Sequence, residues 1–240
     1  MHRQVTAVAN RLSLRAPQRR SLEILDRVVE LVPPSKTTDL TAALAAIQQE
    51  FAGVTDFERD FPSLCFALAT GVGKTRLMGA FISYLRLAHG IRNFFVLAPN
   101  LTVYNKLIAD FTPNTPKYVF RGVAEFATDP PTIITGDNYD QTLLDVPTSC
   151  RVNIFNISKI NSEVRGGRSP RIKRLSEYIG DSYFAYLANL PDLALIMDES
   201  HRYRASAGVK AINELKPILG THTQAGQCKG CWNGNQEEGE

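Results

Sequence analysis

No stretch of the chain approaches the roughly 20 consecutive apolar residues that a membrane-spanning helix requires. The first twenty residues carry arginines but lack the apolar core of a secretory signal. Cysteine is scarce. Cys65, Cys150, Cys228 and Cys231 are too few and too scattered for a disulfide framework, which points to a reducing, cytoplasmic setting. Cys228-Lys229-Gly230-Cys231 has zinc-like spacing, but there is no second pair to complete four ligands. Charge of one sign is also scarce. The net charge is only +3, and of the 27 basic and 24 acidic residues the last 20 positions hold one and three, so the rest of the chain carries +5. That balance is compatible with a nucleic-acid partner without demanding one. Internal repeats and long low-complexity segments are missing too.

What is present is the composition of an ordinary globular protein, 44% hydrophobic and 21% charged over 240 residues, enough for one large domain with short appendages. Leu22, Leu25, Val29 and Val32 recur at helical spacing, so a helix is expected over Pro17 to Val32, stopped by Pro33-Pro34. Thr37 or Thr38 is positioned to cap a second helix with the stripe Leu40, Leu44, Ile47 and Phe51. A short apolar run, Leu64 to Ala69, leads through a glycine turn into a strong helical pattern from Lys74 to Leu87. Asn93 to Leu97 is a second such run, followed by a helix marked by Val103, Leu107, Ile108 and Phe111. Further strands are expected at Tyr118 to Phe120, Ile133-Ile134, Val152 to Ile157 and Leu193 to Met197, and helices at Pro170 to Ile179 and Tyr183 to Leu190. Short buried strands alternating with longer amphipathic helices imply a parallel sheet covered on both faces.

The chemistry is concentrated in two strings. In Ala69-Thr70-Gly71-Val72-Gly73-Lys74-Thr75 a strand ends, the chain turns through two glycines and a helix begins. Such a turn lets backbone N–H groups approach phosphate oxygens, and the helix N-terminus adds a favourable dipole. Thr70, Gly71, Val72, Gly73, Lys74 and Thr75 are therefore candidate nucleotide-binding residues. Lys74 would reach the β- and γ-phosphates, and the Thr75 hydroxyl would ligate Mg²⁺. The usual first glycine of this pattern is replaced by Leu68. In Leu193 to His201 an apolar strand ends in adjacent carboxylates, Asp198 and Glu199, at the end of the strand where ligands bind in open α/β sheets. Asp198 would hold Mg²⁺, and Glu199 would orient the attacking water. A solvated turn or helix cap is the alternative for such a pair taken alone.

Together these strings resemble motifs I and II of superfamily 2 helicases. The longer runs Phe66 to Ala80, Leu97 to Tyr104 and Met197 to Tyr203 resemble the Res subunit of type III restriction enzymes, over roughly residues 11 to 219. The resemblance implies a three-layer RecA-like P-loop NTPase domain with a mostly parallel sheet, using ATP and Mg²⁺. It implies double-stranded DNA as a partner through Pro99 and Asn100 of motif Ia, and a methyltransferase (Mod) subunit that reads the sequence in the full-length parent. Leu14-Arg15-Ala16-Pro17-Gln18 is similar to the element whose glutamine reads the adenine edge. Gln18 is the candidate there, with Arg15 as its companion; an exposed residue in the first turn of a helix is the alternative. His201 would couple ATP state to neighbouring elements.

The expected organisation is thus a helical extension with the adenine-reading element (1–36), the RecA-like domain (37–220) and a polar tail without fixed structure (221–240). The family pattern should run into a Ser/Thr-Ala-Thr strand, motif III, where the chain instead reads Thr221-His222-Thr223-Gln224. On this reading the chain is cut short before motif III and the second RecA-like lobe, leaving an unpaired sheet edge. The alternatives are another superfamily 2 DNA or RNA motor, or a non-catalytic nucleotide-binding remnant. Arg165, Arg168, Arg171, Lys173 and Arg174 are a possible DNA track, although a solvated face explains them as well.

Overall fold

A computed structural model describes residues 3–139, 150–156, 181–199, 209, 212–225 and 232–233. Two helices come first: α1 (Arg3–Arg11) and α2 (Ala16–Leu31). The periodicity of α2 buries Leu22, Leu25, Val28 and Val29 on one side, and the helix ends ahead of Pro33-Pro34, which cannot continue it. Helix α1 was not expected from the pattern. It is short, and only Val5, Val8 and Ala9 are buried, so the signal fills little more than two turns. Helix α3 (Leu40–Glu50) is capped by Asp39 rather than by Thr37 or Thr38. The Asp39 carboxylate accepts from the Thr41 and Ala42 N–H groups at 2.9 and 3.1 Å, and a carboxylate also complements the helix dipole.

Strands β1 (Ser63–Ala67), β2 (Asn93–Ala98), β3 (Thr132–Ile134), β4 (Arg151–Asn156), β5 (Leu193–Asp198), β6 (Leu219–Gln224) and β7 (Trp232–Asn233) form one sheet in the order β3-β4-β2-β5-β6-β1-β7. Every pairing is parallel. Strands β1, β2 and β6 are buried throughout, as a parallel sheet covered by helices requires. Helix α4 (Lys74–His89) follows β1 and is buried on nearly all sides between the sheet and α1 and α2. It stops where Gly90 takes a left-handed φ of 70°, letting the Gly90 N–H reach Arg86 O and the Ile91 N–H reach Leu85 O. Helix α5 (Leu101–Phe111) follows β2, and α6 (Ala124–Thr128) and α7 (Asp181–Asn189) complete the set used below. Side chains from α1 and α2 share one buried cluster with β1, β2, β4 and β5.

Three differences from the sequence expectation have physical causes. Tyr118 to Phe120 is turn, not strand. Its apolar character serves a plug under α5, where Phe120 packs edge-on against Phe111 and Phe126. Leu219 to Gln224, of which Thr221 to Gln224 are expected in a tail, is the strand between β5 and β1. The unpaired edge expected before motif III is therefore filled, and β7 adds a short pairing outside β1. Cys65 on β1 is disulfide-bonded, against the expectation of reduced cysteines. Cys150 is a free, buried thiol pushed up to about 12 by desolvation. The helix expected at Pro170 to Ile179 and the basic cluster from Arg165 to Arg174 lie outside the described residues. Among the described residues no helix is long and apolar enough to cross a membrane.

Gly220 marks how tightly β6 is inserted. A Cβ there would sit 2.7 Å from the Phe61 ring and 2.9 Å from Ser63 Oγ. Overpacking of this kind costs about 1–3 kcal/mol. Gly220→Ala is expected to destabilise the fold by that amount, read as a lower urea midpoint with an unchanged m-value. A midpoint equal to wild type would show that β6 is not held in this position.

Candidate functional site

The site is assembled by the C-terminal ends of three adjacent strands. At the end of β1 the chain runs through Leu68 to Gly73 and enters α4 at Lys74. Gly71 and Gly73 both have left-handed φ, 81° and 94°. Gly73 is constrained twice, since a Cβ there would also lie 2.8 Å from Gln18 Nε2. The first N–H groups of α4 have no partner within the helix, so the turn presents donors and the positive end of a dipole.

At the end of β5, Asp198 and Glu199 diverge. Glu199 takes φ 52°, uncommon for a residue with a side chain, and its carboxylate meets Lys74 Nζ at 2.6 Å. That ion pair is only 13% and 23% exposed at its two side chains, so it is a short, largely shielded contact between the phosphate loop and the carboxylate strand. Asp198 instead accepts from Thr223 Oγ1 at 3.0 Å. The bond follows from register, because Asp198 and Thr223 are paired across β5 and β6. Burial raises the Asp198 carboxyl above its ordinary range, against the opposing pull of the Thr223 hydrogen bond and the Lys74 charge.

Thr223 is a functional candidate that the sequence reading passed over, because Thr221-His222-Thr223 lacks the alanine of the expected Ser/Thr-Ala-Thr. The signal was there in the two threonines. They stand on a buried strand beside the carboxylates, with a histidine between them.

Gln18 is buried, at 2% exposure, which rules out an exposed first-turn residue. Its Oε1 accepts from the Arg15 N–H at 2.8 Å and its Nε2 donates to Gly73 O at 2.9 Å. The amide therefore ties the start of α2 to the phosphate loop while keeping one donor and one lone pair. It lines a cavity of about 300 Å³ with Ser13, Arg15, Gly71, Val72, Gly73 and Arg76. Arg15 Nη1 reaches Gly71 O at 3.4 Å, and Arg76 Nη1 donates to Leu12 O at 2.8 Å. Thr70 is exposed on the loop, and Thr75 Oγ1 accepts from Lys106 Nζ at 3.2 Å.

The structure thus brings Gln18, Thr70 to Thr75, Asp198 and Glu199 to one edge of the sheet. The motif Ia residues fare differently. Pro99 is buried, and the Asn100 side chain is engaged in capping α5 through the Val103 N–H at 2.9 Å. Leu101, 51% exposed, and Thr102 are the residues that face outward there. Ser200, His201 and Tyr203 lie outside the described residues.

Among the described residues no group of three or more His, Cys, Asp or Glu is placed to hold a metal ion. With Glu199 engaged by Lys74, the groups that suit an ion there are one hydroxyl, Thr75, and one carboxylate, Asp198. That sparse set suits Mg²⁺, which keeps several waters and takes further ligands from phosphate oxygens, so it fits an ion that arrives with a nucleotide.

A glycine loop at one strand end, a carboxylate pair two strands away and a parallel sheet between helices define a RecA-like P-loop domain, the ATPase motor domain of superfamily 2 helicases. The family model described as type III restriction enzyme, res subunit, matches residues 12–221, and the chain belongs to that family. The match takes in Gln18 at one end and reaches into β6 at the other. No curated protein matches the chain.

The raised Asp198 carboxyl has a signed consequence. A carboxyl whose folded value lies above its unfolded value, near 3.9 for Asp, favours folding most below that value. This contribution is lost as pH rises through the folded value. Asp198→Asn is therefore expected to gain thermal stability relative to wild type as pH rises from about 4 to 7, when no nucleotide is present. Paired melting curves at the two pH values check this. A variant that loses ground toward pH 7 would mean that the Lys74 and Thr223 contacts outweigh burial.

Proposed function

We propose that this chain is the ATP-binding motor lobe of a type III restriction Res subunit, coupling ATP hydrolysis to translocation on double-stranded DNA. The observation that supports it most is the convergence of Lys74, Glu199, Asp198 and Thr223 across β1, β6 and β5. Lys74 is placed to leave Glu199 for the β- and γ-phosphates of ATP. Once Lys74 leaves, Glu199 would orient and polarise the attacking water, and its left-handed backbone turns it toward the loop. Thr75 and Asp198 would hold Mg²⁺, with Thr223 fixing one Asp198 oxygen so that the other is presented. When bound, the ion neutralises charge on the phosphate oxygens. Gln18 would read the adenine edge with its remaining donor and lone pair, and Arg15 closes the same cavity.

By analogy with the family, the partners would be double-stranded DNA and a methyltransferase subunit, in a cytoplasmic setting. With Pro99 buried and Asn100 acting as a cap, contact with the DNA backbone would fall to the N-terminal turn of α5 and its neighbours. The presence of β6 beside the carboxylates favours a working phosphate site over a remnant. Fast hydrolysis needs a transition-state arginine from a second lobe, worth roughly 10³ to 10⁵ in rate in related phosphoryl transfer. These 240 residues, purified as such, are therefore expected to bind Mg-ATP and hydrolyse it slowly.

Calorimetry with Mg-ATP tests the reading. Lys74→Ala should weaken binding by about tenfold or more, equal to about 1.4 kcal/mol. Gln18→Ala should narrow the preference for ATP over GTP while leaving tripolyphosphate binding in place. An intact fold by circular dichroism with no nucleotide bound by wild type would refute the proposal.

A further inference from the structure

Lys106 belongs to none of the motifs, yet it touches the residue assigned to the metal. It lies on α5, and its ammonium donates to Thr75 Oγ1 at 3.2 Å. One helical turn on, Asp110 Oδ2 stands 3.6 Å from the same ammonium. The Asp110 side chain is only 10% exposed, whereas that of Lys106 is 55% exposed, so its ammonium has room to draw back from Thr75 while keeping the Asp110 contact. Lys106 thus has two acceptors within reach. One is the hydroxyl that would ligate Mg²⁺; the other is a fixed carboxylate on its own helix.

A Mg²⁺ ion bound to Thr75 would lie about 2.1 Å from that oxygen. An ammonium 3.2 Å from the same oxygen occupies the same neighbourhood, and two like charges so close repel strongly. The two cations therefore compete for the hydroxyl. Lys74, engaged with Glu199, is a different cation with a different partner, so Lys106 does not duplicate it.

We propose that Lys106 is a positioning residue of the phosphate site, a built-in monovalent stand-in that holds Thr75 and supports nucleotide binding in the absence of a divalent ion. It withdraws to Asp110 when Mg²⁺ takes the hydroxyl. The inference rests on the phosphate-site reading above. It goes further by assigning metal-free nucleotide binding to a residue outside every recognised motif. Because α5 also begins at the expected DNA-facing turn, the stand-in sits on the same rigid helix as Leu101 and Thr102.

The experiment compares ATP binding by calorimetry in excess Mg²⁺ and in EDTA, for wild type, Lys106→Met and Lys106→Gln, with tripolyphosphate and Lys74→Ala alongside. The exposed position of Lys106 should leave the fold intact, which melting curves check. Wild type is expected to bind ATP in EDTA measurably. Both Lys106 variants should lose about tenfold of that affinity while keeping Mg-ATP affinity within about twofold. The Mg²⁺ concentration needed for half-maximal binding should fall in the variants. Equal losses with and without Mg²⁺ would make Lys106 a general electrostatic contributor and overturn the proposal, as would no change in either. Failure of wild type and Lys74→Ala alike to bind ATP or tripolyphosphate in Mg²⁺ would instead overturn the phosphate-site reading, and the stand-in with it.

Discussion

The placement of β6 between β5 and β1 is the constraint on which the rest of the site depends. Asp198 is paired with Thr223, and Ala67 is paired with Gln224, the next residue along the same strand. The Leu68 N–H continues the ladder by donating to Gln224 O at 3.0 Å. Neighbouring strands lie about 4.8 Å apart, so one intervening strand sets the carboxylates roughly 10 Å from the phosphate-loop strand. That gap is one that lysine and glutamate side chains reaching toward each other can bridge. Lys74 and Glu199 do so, and their contact closes the site. A one-residue slip of β6 would turn Thr223 to the other face of the sheet and remove the Asp198 hydrogen bond. The dense packing around Gly220, between Phe61 and Ser63, works against such a slip.

The polar and charged groups of the site are already engaged with one another. Lys74 is held by Glu199, Lys106 is shared between Thr75 and Asp110, and the Gln18 amide bridges Arg15 and Gly73. On the proposed reading, nucleotide binding would be an exchange of partners on a preformed frame, in which phosphate oxygens and a divalent ion replace protein groups. Asp198 differs, since burial disfavours its charge against the opposing pull of the Thr223 hydroxyl, the Lys74 charge and the Glu199 backbone N–H. A carboxylate held in that condition gains from a cation beside it, which is the condition a metal ligand should meet before its metal arrives.

Much of this was legible in the residues. The glycine turn running into Lys74, and the carboxylates closing an apolar strand, are local patterns in which side chains a few positions apart act together. Helices α2, α4 and α5 announced themselves by periodicity because each buries a long stripe against a common core. Helix α1 did not, since two turns with three buried residues carry almost no periodic signal. Tyr118 to Phe120 misled because apolarity marks burial, and burial under a helix looks in sequence like burial in a sheet. The cap on α3 went to Asp39 over the neighbouring threonines through the local backbone path, which composition does not specify.

The sequence by itself determined the class of chemistry, the parallel α/β architecture and the residues of the loop and the carboxylate pair, because each depends on short-range order along the chain. Tertiary structure alone decided that Thr221 to Gln224 is a central strand rather than a polar tail. Four polar residues in a row give no apolar pattern, and only the flanking β5 and β1 ladders make their burial favourable. It likewise decided that Pro99 is hidden, that Asn100 is a cap and that Lys106 reaches Thr75 from another helix. Those facts join residues far apart in sequence, and such contacts are set by how the elements pack.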